Sequence, residues 1–126
     1  LQYSGLGDLI GNAVSSANLP IVLVAFIVAA LVRICVGSAT VAMTMAAGII
    51  AAMPGISELS PLYLACVVAA VAGGSTVCSH FNDSGFWLVK SLIGVDEKTN
   101  LKTWTIMETL VGFSGFVVAF IISLFV

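Results

Sequence analysis

Residues 78–87 read CSHFNDSGFW and hold most of the side chains that could do chemistry in this chain. Its only histidine, His80, can exchange a proton near neutral pH. Asp83, one of six acids, can carry a proton or a cation. Asn82 and Ser84 can hydrogen-bond a polar ligand. So many polar groups together predict a binding site.

The same decapeptide does not match a metal centre or an enzyme. The spacing of Cys78, His80 and Asp83 follows no strong metal-site pattern. An intramembrane hydrolase would need Ser75 or Ser79 with His80, but GGST lacks the second glycine of a Gly-x-Ser-x-Gly elbow. We therefore expect no catalytic residue, no metal and no cofactor.

The composition indicates a chain whose solvent is largely lipid. Of its 126 residues 60% are hydrophobic and only 8% are charged, about a third of the charged share usual in soluble proteins. Four Lys and Arg form no basic stripe, so we expect no nucleic-acid partner. The chain starts at Leu1 without a signal-peptide pattern, and we expect it to be a fragment or a trimmed chain.

Two short apolar stretches precede the decapeptide. As helices, residues 19–36 and 41–53 would be about 27 Å and about 20 Å long, short of a hydrocarbon core of about 30 Å. GSAT at 37–40 joins them. We predict a re-entrant hairpin over 19–53 with its tip at 37–40, and two full crossings remain an alternative.

The decapeptide itself interrupts a later helix. Asn, Asp, Ser and Gly are poor helix residues, so we predict a broken transmembrane helix over 62–94 with its break at 80–85. Non-helical backbone at membrane depth must be buried in protein or line a wet cavity. The remaining parts are a membrane-edge segment at 1–18, a lysine-rich cytoplasmic loop at 95–102 and a final transmembrane helix at 103–126.

The hairpin tip and the break together predict a site for a small anion. Helices that begin near Ala39 and Phe86 would aim N–H groups inward, which favours carboxylates. The residues expected to bind substrate are Arg33, Ser38, Thr40, Asn82 and Ser84.

His80 and Asp83 are the expected proton-coupling residues. Plainer alternatives remain open for both side chains. Asp83 could simply neutralise Arg33, and His80 could be a hydrogen-bonding residue between helices. Glu108, near the start of the last helix, is read as an interface residue rather than a coupling acid.

Three segments resemble the C-terminal part of the gluconate permease family. They are GSATVAMTMAAG (37–48), SHFNDSGFWLVK (79–90) and LKTWTIMETL (101–110). The similarity covers about residues 28–112 in order and with similar spacing. Met45 and Phe81 depart from the family pattern, and both would narrow a pocket.

The resemblance implies a multi-pass secondary transporter of the cytoplasmic (inner) membrane that imports gluconate, or a related small hydroxy-carboxylate, with protons. It also implies an all-α membrane fold of two inverted repeats, with this chain as the C-terminal repeat: hairpin, broken helix and final helix. The expected partners are the lipid bilayer, a small anionic substrate and the N-terminal half of the same transporter.

Several alternatives to this reading remain. The substrate could be D-serine or another small organic acid, and sodium could replace protons. A homo-oligomer is left open. From another functional class, a purely structural membrane subunit would explain the apolar helices but not the polar break.

Overall fold

The computed structural model describes residues 19–126, and every regular element within that range is helical. The predicted membrane-edge segment at 1–18 lies outside the described residues. In chain order the elements are α1 (Ile21–Val36), α2 (Ala39–Ala51), a 3-10 turn (Ile56–Glu58), α3 (Pro61–Thr76), α4 (Ser84–Ile93), α5 (Glu97–Asn100), a π-helical turn (Leu101–Thr105) and α6 (Ile106–Ser123).

Local hydrogen bonds fix where these helices begin and end. Ser38 caps α2 by accepting from the N–H of Val41, and Asp83 caps α4 by accepting from the N–H of Gly85. α1 ends at Gly37, whose left-handed conformation (φ 81°) favours glycine. Each break in the helices is therefore specified by the residues at the break.

The helix that leads into α6 begins ahead of the predicted start at 103. Asp96 accepts a hydrogen bond from the N–H of Thr99 and caps α5, which continues through the π-helical turn into α6. Much of the predicted 95–102 loop is therefore helical. An N-cap aspartate is the signal for this start.

The core lies where α3 packs between α1 and α6, with α2 on the side of α1. Many of its buried residues are small, among them Ala25, Ala29, Ala46 and Ala70. Small side chains let helices approach closely, which is how helices associate in lipid.

The closest approach is a backbone crossing between α3 and α6. A Cβ atom added to Gly73 would lie 2.5 Å from the carbonyl oxygen of Gly112, and one added to Gly112 would collide with the carbonyl oxygen of Gly73. Both positions therefore require glycine for packing. Gly115, one turn further along α6, has open space around it.

The outer surface is apolar, as the lipid-solvent interpretation requires. In the part of the chain that the structure describes, one helix, Glu97–Ser123, is long and apolar enough to cross a membrane. Only 17% of its apolar window is buried inside the protein. The α1 and α2 helices, with 16 and 13 residues, are shorter than a full membrane crossing, as a re-entrant hairpin requires. The hairpin itself stays a prediction.

The glycine crossing generates a stability prediction. We expect Gly112→Ala to lower stability by about 1–3 kcal/mol, because its methyl group must push the two backbones apart. Thermal unfolding of the detergent-purified protein measures this effect. Gly115→Ala is the matched control and should unfold near the wild-type temperature. Equal unfolding temperatures for the two variants would contradict the close crossing.

Candidate functional site

The hairpin tip between α1 and α2 touches the break between α3 and α4. A Cβ atom at Gly37 would collide with the backbone carbonyl of Asn82. The side-chain amide of Asn82 donates to the carbonyl oxygen of Ile34 at 2.9 Å and closes the C-terminal end of α1. The structure thus brings together the two breaks from which the sequence predicted a site.

Arg33 lies at this contact, with only 2% of its side chain exposed. Its Nη1 donates to the carbonyl oxygen of Gly37, and its Nη2 lies 2.5 Å from Oδ2 of Asp83. The same Nη2 lies 3.6 Å from Oε2 of Glu108 on α6. Arg33, Asp83 and Glu108, here called the charged trio, therefore join three separate parts of the fold.

Asp83 is held by several donors at once. Its Oδ2 accepts from the Ser79 hydroxyl at 2.5 Å as well as from Arg33, and its Oδ1 accepts from the N–H of Gly85 at 2.9 Å. The Ser79 hydroxyl in turn accepts from the indole N–H of Trp104 at 2.9 Å. Such donors stabilise an ionised carboxylate. Asp83 therefore serves as a fixed counter-charge for Arg33.

Side chains of the last helix anchor the break. The Thr105 hydroxyl donates to the carbonyl oxygen of Ser79, and the N–H of Cys78 donates to the Thr109 hydroxyl at 3.1 Å. Cys78 has φ 54°, a left-handed conformation that is rare for a residue with a Cβ atom. The surrounding structure holds this strained residue in place.

The predicted hydroxyl-binding residues divide into two groups. Ser38 and Asn82 already hydrogen-bond helix ends, as described above. Thr40 and Ser84 are exposed, and their hydroxyls make no hydrogen bond within residues 19–126. Thr40 and Ser84 are thus exposed hydroxyls in the first turns of α2 and α4.

His80 lies at the same break but outside the charged trio. Its Nδ1 is 2.7 Å from the carbonyl oxygen of Cys78, a neighbour in the chain. The ring is partly buried. The proton-coupling role predicted for His80 therefore stays a prediction.

Two helix N-termini begin beside the charged trio. α2 begins at Ala39, as expected, and α4 begins at Ser84, ahead of the predicted Phe86, because Asp83 caps it. Ser38 and Asp83 each accept a hydrogen bond from one N–H group in the first turn of a helix. The other N–H groups of that turn remain for an anion. Among residues 19–126 there is no group of three His, Cys, Asp or Glu placed to hold a metal ion.

Comparison with known proteins identifies the family. A family model described as GntP family permease matches residues 1–125. The chain belongs to the GntP permease family. The resemblance to gluconate permeases in the sequence is thereby confirmed.

Several curated relatives in this family are closely similar. The chain is 46% identical to a low-affinity gluconate transporter of Escherichia coli (strain K12) over 96% of its length, and 41% identical to a gluconate permease of Pseudomonas aeruginosa over 98%. It is 39% identical over 91% to a Gnt-II system L-idonate transporter of E. coli (strain K12). It spans only 27%, 27% and 26% of the lengths of these relatives. No solved structure matches the chain.

The candidate site includes five residues that the sequence had not indicated as site residues: Ser79, Trp104, Thr105, Glu108 and Thr109. Four of them lie in the segment TWTIMET, at spacings that place them on one face of a helix. This one-face spacing is the sequence signal from which these four residues could have been predicted to act together. The π-helical turn at Leu101–Thr105 overlaps the start of this segment, and π-turns often occur at functional sites.

The buried ion pair of the charged trio generates a second stability prediction. Asp83→Asn keeps an acceptor for Gly85 but leaves the buried Arg33 without its nearest charge, and should cost about 3 kcal/mol. Thermal unfolding of the purified GntP-family protein measures this loss.

An exposed ion pair of similar length is the control. Lys90 Nζ and Glu97 Oε1 are 2.6 Å apart, but 25% and 48% of their side chains are exposed. Glu97→Gln should barely change the unfolding temperature, because water screens such pairs. Similar losses for Asp83→Asn and Glu97→Gln would show that burial does not set the importance of the pair.

Proposed function

We propose that this chain is the C-terminal part of a secondary active transporter that imports gluconate, or a related small hydroxy-carboxylate, together with protons. The observation that carries the proposal is the buried Arg33 at the contact of two helix breaks. The names of relatives that transport gluconate and L-idonate support the same substrate class.

The carboxylate of the substrate would bind at Arg33. The Nε of Arg33 is buried and has no hydrogen-bond partner in the described part of the chain, so a donor remains for a ligand oxygen. The N-termini of α2 and α4 would add favourable dipoles. Binding would require Arg33 to share its contacts with Asp83.

The hydroxyl groups of the substrate would bind to polar side chains at the two breaks. Thr40 and Ser84 are exposed in the first turns of α2 and α4, and Ser38 and Asn82 hydrogen-bond helix ends at the same two breaks. A sugar acid carries several hydroxyls next to its carboxylate, which suits hydroxyl and amide partners around one arginine. We assign these four residues and Arg33 to substrate binding.

The remaining parts of the proposal concern the whole transporter. The N-terminal half of the same protein would close the open side of the site, in an inner-membrane, multi-pass arrangement with this chain as one of two inverted repeats. Lys90, Lys98 and Lys102 would face the cytoplasm. His80 and Asp83 are the residues from which the sequence predicts proton coupling.

Uptake into proteoliposomes that contain the full-length transporter tests the function. We expect labelled gluconate to accumulate under an inward proton gradient, and a proton uncoupler to abolish the accumulation. Excess L-idonate should compete because it shares the carboxylate and hydroxyl pattern. Accumulation under a sodium gradient alone would contradict proton coupling, and no accumulation under either gradient would contradict the substrate.

Two threonines on α2 test the assignment of the hydroxyl-binding residues. Thr40→Val should raise the KM for gluconate about tenfold, the effect of one lost hydrogen bond to the substrate. Thr44→Val is the control, since the Thr44 hydroxyl is exposed but donates to carbonyl oxygens of its own helix. Thr44→Val should change KM less than about twofold. Equal KM values for the two variants would place the substrate elsewhere.

A further inference from the structure

Glu108 is an acid at the site that the proposed function does not use. It reaches the charged trio from α6, and its Oε2 lies 3.6 Å from the same Arg33 nitrogen that contacts Asp83. The charged groups that face it are Arg33 of α1 and Asp83 of the break between α3 and α4. Two carboxylates therefore share one guanidinium group.

The two carboxylates are held very differently. Asp83 accepts hydrogen bonds from Arg33, Ser79 and Gly85, which keep it charged. Glu108 accepts none from residues 19–126, and its 3.6 Å contact with Arg33 is longer than a hydrogen bond. Its side chain is 20% exposed, twice the exposure of Asp83. Glu108 is thus the acid of the trio that can change its charge at the lower cost.

We propose that Glu108 is the residue that carries the proton transported with each substrate molecule, an assignment that rests on the proposed symport function. This proposal assigns to Glu108 the proton-coupling role that the sequence predicted for His80 or Asp83. On one side of the membrane a hydronium ion gives its proton to a carboxylate oxygen of Glu108: an O–H bond of hydronium breaks, the O–H bond of a neutral carboxylic acid forms, and water is left. On the other side that carboxylic acid O–H bond breaks, and a water molecule takes the proton as hydronium.

Charge balance explains why such a proton would couple to substrate. With all three groups ionised, the trio carries one net negative charge, which opposes the entry of an anion. When Glu108 is protonated the trio is neutral, and binding one monoanion restores the original charge. The site thus accepts one proton and one monoanion together at no net change in its charge.

Linkage makes this coupling measurable. Because protonation of Glu108 favours the substrate, the substrate must favour protonation by the same factor. For a site that binds gluconate only when Glu108 is neutral, the Kd should rise about tenfold per pH unit once Glu108 is ionised in the free protein. A glutamine at this position mimics the neutral acid and should give tight binding at every pH.

The test uses the full-length transporter in proteoliposomes, with two assays for each variant. One assay measures accumulation of labelled gluconate under an inward proton gradient, and the other measures exchange of labelled for unlabelled gluconate without a gradient. We expect Glu108→Gln to keep exchange, independent of pH, and to lose gradient-driven accumulation. Glu97→Gln, at an exposed acid of the same helical segment, is the control and should behave as wild type in both assays.

Two variants at the sequence-predicted positions separate the roles within the site. Asp83→Asn should lose exchange and accumulation together, because it disturbs the arginine that binds substrate. His80→Ala should keep both activities, since its ring bonds only the neighbouring backbone among the described residues. Loss of accumulation with exchange retained in either variant would move the proton to that residue and overturn the proposal.

Other results also overturn the assignment. They are a Glu108→Gln variant that still accumulates gluconate against the gradient, or one that folds but has lost exchange. If Glu108→Gln cannot be purified in folded form, Glu108→Asp decides: accumulation should persist with a shifted pH profile, and an unshifted profile contradicts a proton on Glu108. Failure of the wild type to accumulate gluconate under a proton gradient would instead refute the proposed function.

Discussion

The structure is organised around the need to satisfy one buried guanidinium group. An arginine with 2% of its side chain exposed, in a permease-family chain with an apolar outer surface, is tolerated only when its charge and its donors have partners. The partners of Arg33 come from the hairpin tip, from the break between α3 and α4 and from α6. α1 ends at a left-handed glycine and α4 is capped by Asp83 where they meet the arginine, and a π-turn precedes the part of α6 that carries Glu108. Irregular backbone and buried charge therefore occur at the same place, and each makes the other possible.

The rigid and the irregular parts of the fold have different physical bases. α1, α3 and α6 are held by close contacts between small residues, where backbone meets backbone at Gly73 and Gly112. The breaks are held by polar contacts: Ser79 with Trp104, Cys78 with Thr109, and Asn82 with the end of α1. Close van der Waals packing between small residues offers no donor or acceptor to another molecule. A hydrogen bond, by contrast, can be exchanged for a hydrogen bond to a ligand or to water. The polar contacts at the breaks are therefore the part of the fold whose partners a ligand could replace, while the packed helices need not change.

Much of the fold and part of the site could be predicted from sequence because the signals are local. Gly37 and Ser38 are poor helix residues, and they separate α1 from α2. The second break lies at 77–83, earlier than the run from Asn82 to Gly85 predicted, because α3 ends at Thr76 and Asp83 caps α4 at Ser84. Arg33 and Asp83 were expected at the site, and their pairing was an open alternative. The roles of Ser79, Trp104 and Glu108 depend on how α6 packs against the break, and that packing cannot be read from any single segment. The start of the last helix was missed for a simpler reason, since Asp96 was counted as a loop charge rather than as a cap.

The distance along the chain between the charged partners bears on how the protein enters a membrane. Arg33 is synthesised fifty residues before Asp83, and Glu108 follows later still. A lone arginine costs about 2.5–3.5 kcal/mol on insertion at the centre of a helix, and less near a helix end. Arg33 lies in the last turn of α1, but its guanidinium group is buried and needs a counter-charge. α1 therefore leaves the ribosome without the groups that neutralise it, and stable residence in the bilayer has to wait for α3 and the segment after it. Until the chain has supplied that counter-charge, the guanidinium group of Arg33 has to keep contact with water or with another polar group.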